Sequence, residues 1–142
     1  MIREYQHSDW LELKALYERS LKEWLDLSKY PVAVYSEVTT PLTEGKIKVG
    51  VVYVDNNERL SGLLIGGAFI GNCLFVYDFY VVPELRATAI PGRMYALFES
   101  LALGKGYEHI VFETSPYHKD FIELLKHTGC RLCKLQFVKE LQ

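Results

Sequence analysis

Apolar side chains recur at three- and four-residue steps near the start of the chain, and Ser8 followed by Asp9 supplies a signal for a helix start. This spacing predicts an amphipathic first helix with its apolar stripe on Trp10, Leu13, Leu16, Tyr17, Leu21, Trp24 and Leu25. From residue 30 to residue 43 the pattern stops, because Pro31 and Pro41 bracket VAVYSEVTT. That segment is open to three interpretations: a short helix, a strand or an ordered loop.

The middle of the chain has the composition of strands. Val49 to Val54 is rich in β-branched residues and leads through DNNER into LSGLLIGGAFI (60–70), which predicts a hairpin. Asp55, Asn56 and Asn57 are expected to supply the left-handed backbone of its turn. The next run, CLFVYDFYVV (73–82), is interrupted only by Asp78 and predicts a strand that is buried on both faces at the centre of the sheet.

Helical and strand-like patterns alternate after this point. A helix is expected from Pro91 or Gly92 to about Gly104, followed by a strand at HIVFET (109–114), a helix over 117–128 and a closing strand at CRLCKLQFVKEL (130–141). The order predicts a mixed α/β sheet with helices on both faces and a right-handed crossover between CLFVYDFYVV and HIVFET. Ligands of such sheets bind beyond the strand ends where a helix begins, which here is VVPELRATAIPGRM (81–94).

Composition limits the classes of function. A chain of 142 residues with 49% hydrophobic content predicts one domain over residues 1–142. Its 16 Lys and Arg against 18 Asp and Glu give a formal charge of -2, so no bulk field would recruit nucleic acid or an anionic membrane. The start, MIREYQHSDW, lacks a signal-peptide core, no apolar run has the ~20 residues of a membrane span, and the cysteines are few. We therefore expect a cytoplasmic protein with reduced thiols.

The spacing of His127, Cys130 and Cys133 suggests a metal site at first sight. A closed zinc site needs four ligands, however, and two cysteines three residues apart would point to opposite faces of a regular strand. We expect no metal.

The quoted segments together resemble the GNAT superfamily of acyl-CoA-dependent N-acyltransferases over nearly the whole chain. YVVPELR (80–86) is similar to that family's Y-V-x-P-E-x-R consensus, GYEHIVFE (106–113) to the segment after its central helix, and HTGCRLCKLQFVKEL (127–141) to its closing strand. The resemblance implies a short first strand at residues 2–5, a mostly antiparallel sheet with one parallel crossover, and acetyl-CoA or another acyl-CoA as co-substrate.

In that family the cofactor pyrophosphate lies on backbone N–H groups of an R-x-x-G-x-G loop and on the start of the next helix. Here Ala89 and Pro91 stand at the two glycine positions, and Pro91 has no N–H to donate. Charged hydrogen bonds from Arg86 and Arg93 could offset a lost neutral one, since they contribute ~1.5 to 3 kcal/mol against ~1. The resemblance implies cofactor contacts at Val81, Val82, Arg86, Ala87, Thr88, Ala89, Ile90, Gly92, Arg93 and His118. Without the resemblance, the same stretch would be an ordinary turn with two solvated arginines.

Catalytic roles follow from the same resemblance. Asp78 is the only acid on the central strand and is the candidate base or water-positioning group, although a buried acid paired with an arginine or capped by backbone N–H groups is an equal alternative. The family's usual Tyr acid corresponds to Leu125, which cannot donate a proton. Tyr80 is the tentative substitute, with Tyr77, Tyr117 and His118 as the others, and some members of the family manage without an acid because a thiolate is a good leaving group. Tyr30 and Tyr35 fall where the family builds its acceptor pocket.

Two functions remain open at this stage. One is an N-acyltransferase that acts by direct attack on an amine of a small molecule or a protein. The other is a catalytically weak or inactive GNAT-like module that acts through a protein partner. The sequence leaves a homodimer open.

Overall fold

The computed structural model describes residues 1–27, 42–114 and 119–132, and within these the chain forms one sheet with helices on both faces. The strands are β1 (Ile2–Glu4), β2 (Val49–Val54), β3 (Leu60–Ala68), β4 (Cys73–Val81) and β5 (His109–Val111), and the helices are α1 (Trp10–Leu27), α2 (Ile90–Gly104) and α3 (Lys119–His127). The segment with three open interpretations lies almost entirely outside the described residues. So does most of the predicted closing strand, whose described residues 130–132 are not in a strand.

The strands follow one another in space in the order of the sequence, β1-β2-β3-β4-β5. The first three pairings are antiparallel and the last, between β4 and β5, is parallel, with α2 as the connection. This confirms the predicted mixed, mostly antiparallel sheet with one parallel step. The first strand, which the family resemblance alone implied, pairs its Ile2 with Tyr53 of β2.

The hairpin between β2 and β3 is confirmed, but its turn differs from the prediction. The left-handed residue is Glu58, with φ 61°, and not Asp55, Asn56 or Asn57. The reason is that the Asp55 carboxylate accepts the N–H groups of Asn57 and Arg59, at 2.8 and 3.1 Å, so the chain has to reverse between those two residues.

Each face of the sheet has its own core. Leu13, Leu16 and Tyr17 of α1 pack on one face, which we call the α1 face, and Met94 and Phe98 of α2 pack on the other, the α2 face. The apolar stripes predicted for both helices therefore supply the two halves of the hydrophobic core.

A β-bulge in β4 changes which side chains reach each face. Ile65 of β3 lies opposite Asp78 and Gly66 lies opposite Val76, so Tyr77 is the extra residue. Leu74 and Val76 before the bulge belong to the α2 face. After the bulge, Asp78 lies on the α1 face, where it contacts Ser20 of α1. Strict alternation from Val76 would have placed Asp78 on the α2 face.

The parallel pairing between β4 and β5 is short. It joins Cys73, Leu74 and Phe75 to His109, Ile110 and Val111, and β4 then continues to Val81 without a further partner on that edge in the described part of the chain. Because the N–H of Val82 pairs with Ser61 of β3 at 3.0 Å, the backbone groups of Val81 face the opposite, open edge. The divergence leaves a cleft at the end of β4, immediately before α2.

Candidate active site

A cleft of about 670 Å³ opens where β4 and β5 diverge. Its walls come from α1, the second half of β4, the loop before α2, the end of β5 and α3. Phe121 of α3 meets Phe79 and Phe112 edge-on, with ring centroids 6.0 and 6.1 Å apart, which makes one wall aromatic. The residues that carry polar chemistry along the cleft are Ser20, Glu23, Tyr77, Asp78, Tyr80, Arg86, Thr88, Glu113, Lys119 and Asp120.

Asp78 lies deep in this cleft. Its carboxylate accepts hydrogen bonds from the Ser20 hydroxyl and the Phe79 N–H, whereas its Oδ2 is inaccessible to solvent and has no partner among the described residues. The residue as a whole is partly exposed through its other atoms, but the proton affinity follows the buried carboxyl group. Burial, with a smaller effect of the same sign from Glu23, raises the pKa of Asp78 to about 7, against the two hydrogen bonds that favour the charged form. The group can therefore exchange a proton near neutral pH.

A second carboxylate, Glu23, lies on the α1 wall and is paired. It accepts the Tyr80 hydroxyl at 2.8 Å and Arg86 Nη2 at 2.5 Å. Arg86 also donates from Nε to the Val81 carbonyl at 2.9 Å and lies 5.2 Å above the centre of the Tyr80 ring. Burial opposes ionisation of Glu23, but the hydrogen bonds from Arg86 and Tyr80 outweigh it and hold its pKa below the usual range.

Sequence reasoning missed Ser20 and Glu23. A signal existed for Ser20, since it continues the apolar stripe after Leu16 and Tyr17 and is 4% exposed, which is a position where a polar side chain needs a partner. Glu23 follows one helical turn later on the same side of α1, where it reaches Tyr80 as Ser20 reaches Asp78.

The loop between β4 and α2 presents backbone donors. The N–H groups of Ala87, Ala89 and Gly92 make no hydrogen bond to any described residue, and Ala89 and Gly92 line the cleft. Ala89 has helical dihedrals (φ -75°, ψ -6°), so a methyl group at this position causes no backbone strain. Thr88 closes the turn by donating to the Leu85 carbonyl at 2.5 Å and accepting the Ile90 N–H at 3.2 Å.

The other predicted site residues are distributed unevenly. Val81 and Val82 are buried at the end of β4, Ile90 and Pro91 begin α2, and Arg93 is exposed and does not line the cleft. Tyr30, Tyr35, Tyr117 and His118 lie outside the described residues.

The contacts of Arg86 and Asp78 bear on two simpler alternatives to a functional site. Arg86 is not a solvated arginine, because it is tied to Glu23 and to the backbone. Arg86 pairs with Glu23 and not with Asp78, whose carboxylate has no ion-pair partner among the described residues and accepts the Phe79 backbone N–H.

Leu125, at the position where the family has a tyrosine, is buried in α3. In place of that tyrosine, the Tyr80 hydroxyl lies in the cleft beside the second carboxylate, Glu23. Burial, and after it the hydrogen bond to the negatively charged Glu23, raises the pKa of Tyr80. Tyr77, the bulge residue, also lines the cleft, and burial raises its pKa as well.

Within residues 1–27, 42–114 and 119–132, no three His, Cys, Asp or Glu side chains lie together as a metal site would require. Over the same residues, no helix has both the length and the apolar character needed to cross a membrane.

Many solved structures with the same fold are acetyltransferases. A GNAT-family acetyltransferase from Staphylococcus aureus has a TM-score of 0.74 and 14% identity, over 94% of this chain and 85% of its own. Ribosomal-protein-alanine N-acetyltransferase from Brucella melitensis has 0.67 and 15%, over 99% of each chain. The aminoglycoside N-acetyltransferase AAC(6')-Iy, solved in complex with CoA, has 0.64 and 11%, over 100% of this chain and 99% of its own. No protein-family model and no curated protein sequence matches the chain. The chain therefore has the GNAT acetyltransferase fold.

Proposed function

We propose that the chain is an acyl-CoA-dependent N-acyltransferase that uses acetyl-CoA to acylate an amine of a small molecule or a protein. The observation that carries the proposal is that one cleft is lined both by Ala89 and Gly92, whose N–H groups have no partner among the described residues, and by Asp78, whose buried carboxyl group keeps one oxygen without a described partner. An anion site at one end and a proton acceptor at the other are what acyl transfer from CoA to an amine requires.

The cofactor would enter along the open edge of β4. Its pyrophosphate would accept hydrogen bonds from the N–H groups of Ala87, Ala89 and Gly92, at the positive end of the α2 dipole. Thr88 and Ile90 fix the shape of the loop, Arg86 supplies charge from within the cleft, and the pantetheine arm would run along the backbone at Val81 and Val82. Arg93, which lies outside the cleft, would add charge only at longer range. His118 remains a proposed contact of the arm.

The reaction would proceed by direct attack. Asp78, with a pKa of about 7, takes one proton from the acceptor ammonium, and the neutral nitrogen attacks the thioester carbonyl carbon. The new C–N bond forms and the C–S bond breaks. The Tyr80 hydroxyl turns from Glu23 to the sulfur, gives it a proton and regains one from the nitrogen. Tyr30 and Tyr35 are the proposed walls of the acceptor pocket.

The test is a calorimetric titration of acetyl-CoA, CoA and dephospho-CoA into the purified protein, with Arg86→Ala as the control. Saturable binding of acetyl-CoA that weakens in the variant supports the proposal, and no binding at millimolar ligand overturns it. In an amine-acetylation assay, kcat/KM should rise with pH through about 7, the pKa of Asp78. Asp78→Asn should lower it by about 10²- to 10⁴-fold, the usual contribution of a general base.

A second candidate is a protein-binding module with little or no catalysis. Leu125 favours it, because the position that holds the family's proton donor is a buried leucine here. This candidate would be favoured over the enzyme if the protein binds acetyl-CoA tightly but neither acetylates an amine nor slowly hydrolyses acetyl-CoA.

A further inference from the structure

Arg86 has one set of partners in the structure and would need another in the proposed reaction. Its guanidinium is held by Glu23 at 2.5 Å and by the Val81 carbonyl at 2.9 Å, and it lies over the Tyr80 ring. Residue 86 also begins the loop whose free N–H groups we assign to the cofactor pyrophosphate. Glu23 on the α1 wall and a phosphate at the loop would therefore compete for the orientation of the same guanidinium.

The ion pair between Arg86 and Glu23 is weak enough for Arg86 to exchange Glu23 for another partner. The two side chains are 45% and 40% exposed, and an ion pair with that much solvent contact contributes little to stability. A pyrophosphate carries more negative charge than one carboxylate, and Arg86 can meet it with two parallel donors. Glu23 retains the Tyr80 hydroxyl at 2.8 Å when the arginine leaves.

We propose that Glu23 is a positioning residue that competes with the cofactor for Arg86. It holds the guanidinium until acyl-CoA binds and then yields it to the pyrophosphate, which leaves the Glu23 carboxylate with the Tyr80 hydroxyl on the α1 wall of the cleft. This inference rests on the proposed function, because it takes Arg86 as a cofactor contact.

A static role for Glu23 predicts the opposite change in acetyl-CoA affinity when Glu23 is removed. If Glu23 only braced Arg86 in the orientation that the phosphate needs, its removal would weaken cofactor binding. If Glu23 competes for Arg86, its removal strengthens binding. A merely structural role does not produce a gain in affinity.

The experiment is a double-mutant cycle measured by titration of acetyl-CoA. Glu23→Gln should bind acetyl-CoA about threefold to fivefold more tightly than wild type, the loss of one partly exposed ion pair expressed as affinity. Glu18→Gln removes the same charge from an exposed position of α1 and should change the affinity by less than about twofold. Arg86→Ala should weaken binding, and adding Glu23→Gln to Arg86→Ala should have no further effect.

Each outcome decides between the possibilities. An unchanged or weaker affinity in Glu23→Gln overturns the competition while leaving acyl-CoA binding intact, and so does a gain that persists when Arg86 is already alanine. If no variant binds acetyl-CoA, the proposed function itself fails and this inference fails with it.

Discussion

The two faces of the sheet are covered by helices of similar length but are built differently. On the α2 face, Val51, Leu64, Met94 and Phe98 are completely buried in an apolar cluster. On the α1 face, the core ends at Asp78 with Ser20 and at Tyr80 with Glu23 and Arg86. We infer from this difference that the α2 face contributes mainly to stability, whereas the α1 face has less apolar packing because it holds polar groups beside the cleft.

The largest effect should come from the α2 face. Phe98→Ala removes a fully buried ring between α2 and the sheet and should lower the free energy of unfolding by about 3 to 5 kcal/mol. Urea unfolding followed by circular dichroism measures it. The affinity of the remaining folded protein for acetyl-CoA should stay within about twofold of wild type, and a parallel loss of affinity would show that the two faces are not separable.

Asp78 gives the next largest effect, and it depends on pH. Because its folded pKa of about 7 lies above the unfolded value of 3.8, the folded state binds more protons between these limits. The free energy of unfolding should therefore fall as the pH rises from about 4 to about 7, by as much as about 4 kcal/mol from this group. Asp78→Asn should abolish that fall and be more stable than wild type at pH 8. Parallel pH profiles of the two proteins would contradict the burial argument.

Substitution of Gly67 tests how closely β3 approaches Tyr77, the bulge residue of β4. A Cβ at this position would lie 2.3 Å from the Tyr77 hydroxyl and 2.4 Å from the Lys46 carbonyl, so Gly67→Ala should cost about 1 to 3 kcal/mol through displacement of both. Gly104→Ala is the matched control, since nothing lies within 4 Å of its added methyl group and the residue is helical. We expect the control to be neutral or slightly stabilising in thermal unfolding. Equal effects at both positions would mean that Tyr77 is not held by close approach to β3.

The smallest effect should come from the Tyr80 hydroxyl. Tyr80→Phe keeps the ring under Arg86 and removes one hydrogen bond to Glu23, which should cost about 1 kcal/mol in the free energy of unfolding. The pKa of Glu23, followed by carbon NMR, should rise because one of the hydrogen bonds that lowers it is lost. An unchanged pKa would mean that the hydrogen bond from Tyr80 does not lower the pKa of Glu23 and that Arg86 does so alone.

The sequence was sufficient for the main elements and for one of the two carboxylates. Periodicity predicted α1 and α2, the β-branched run predicted β2, and the single polar residue in CLFVYDFYVV identified Asp78. The bulge could not be predicted, because one extra residue changes neither the composition nor the apolar character of β4. The partner of Arg86 could not be predicted either, since Glu23 looks like any charged residue on an amphipathic helix until the fold brings α1 beside β4.

The open edge of β4 also bears on self-association. A strand edge with unpaired backbone groups is a template to which another extended chain can add. Here two of those groups are already occupied by side chains, the Val81 carbonyl by Arg86 and the Phe79 N–H by Asp78. At these two positions of the described edge, an added strand would therefore have to displace Arg86 or Asp78 before it could pair with β4.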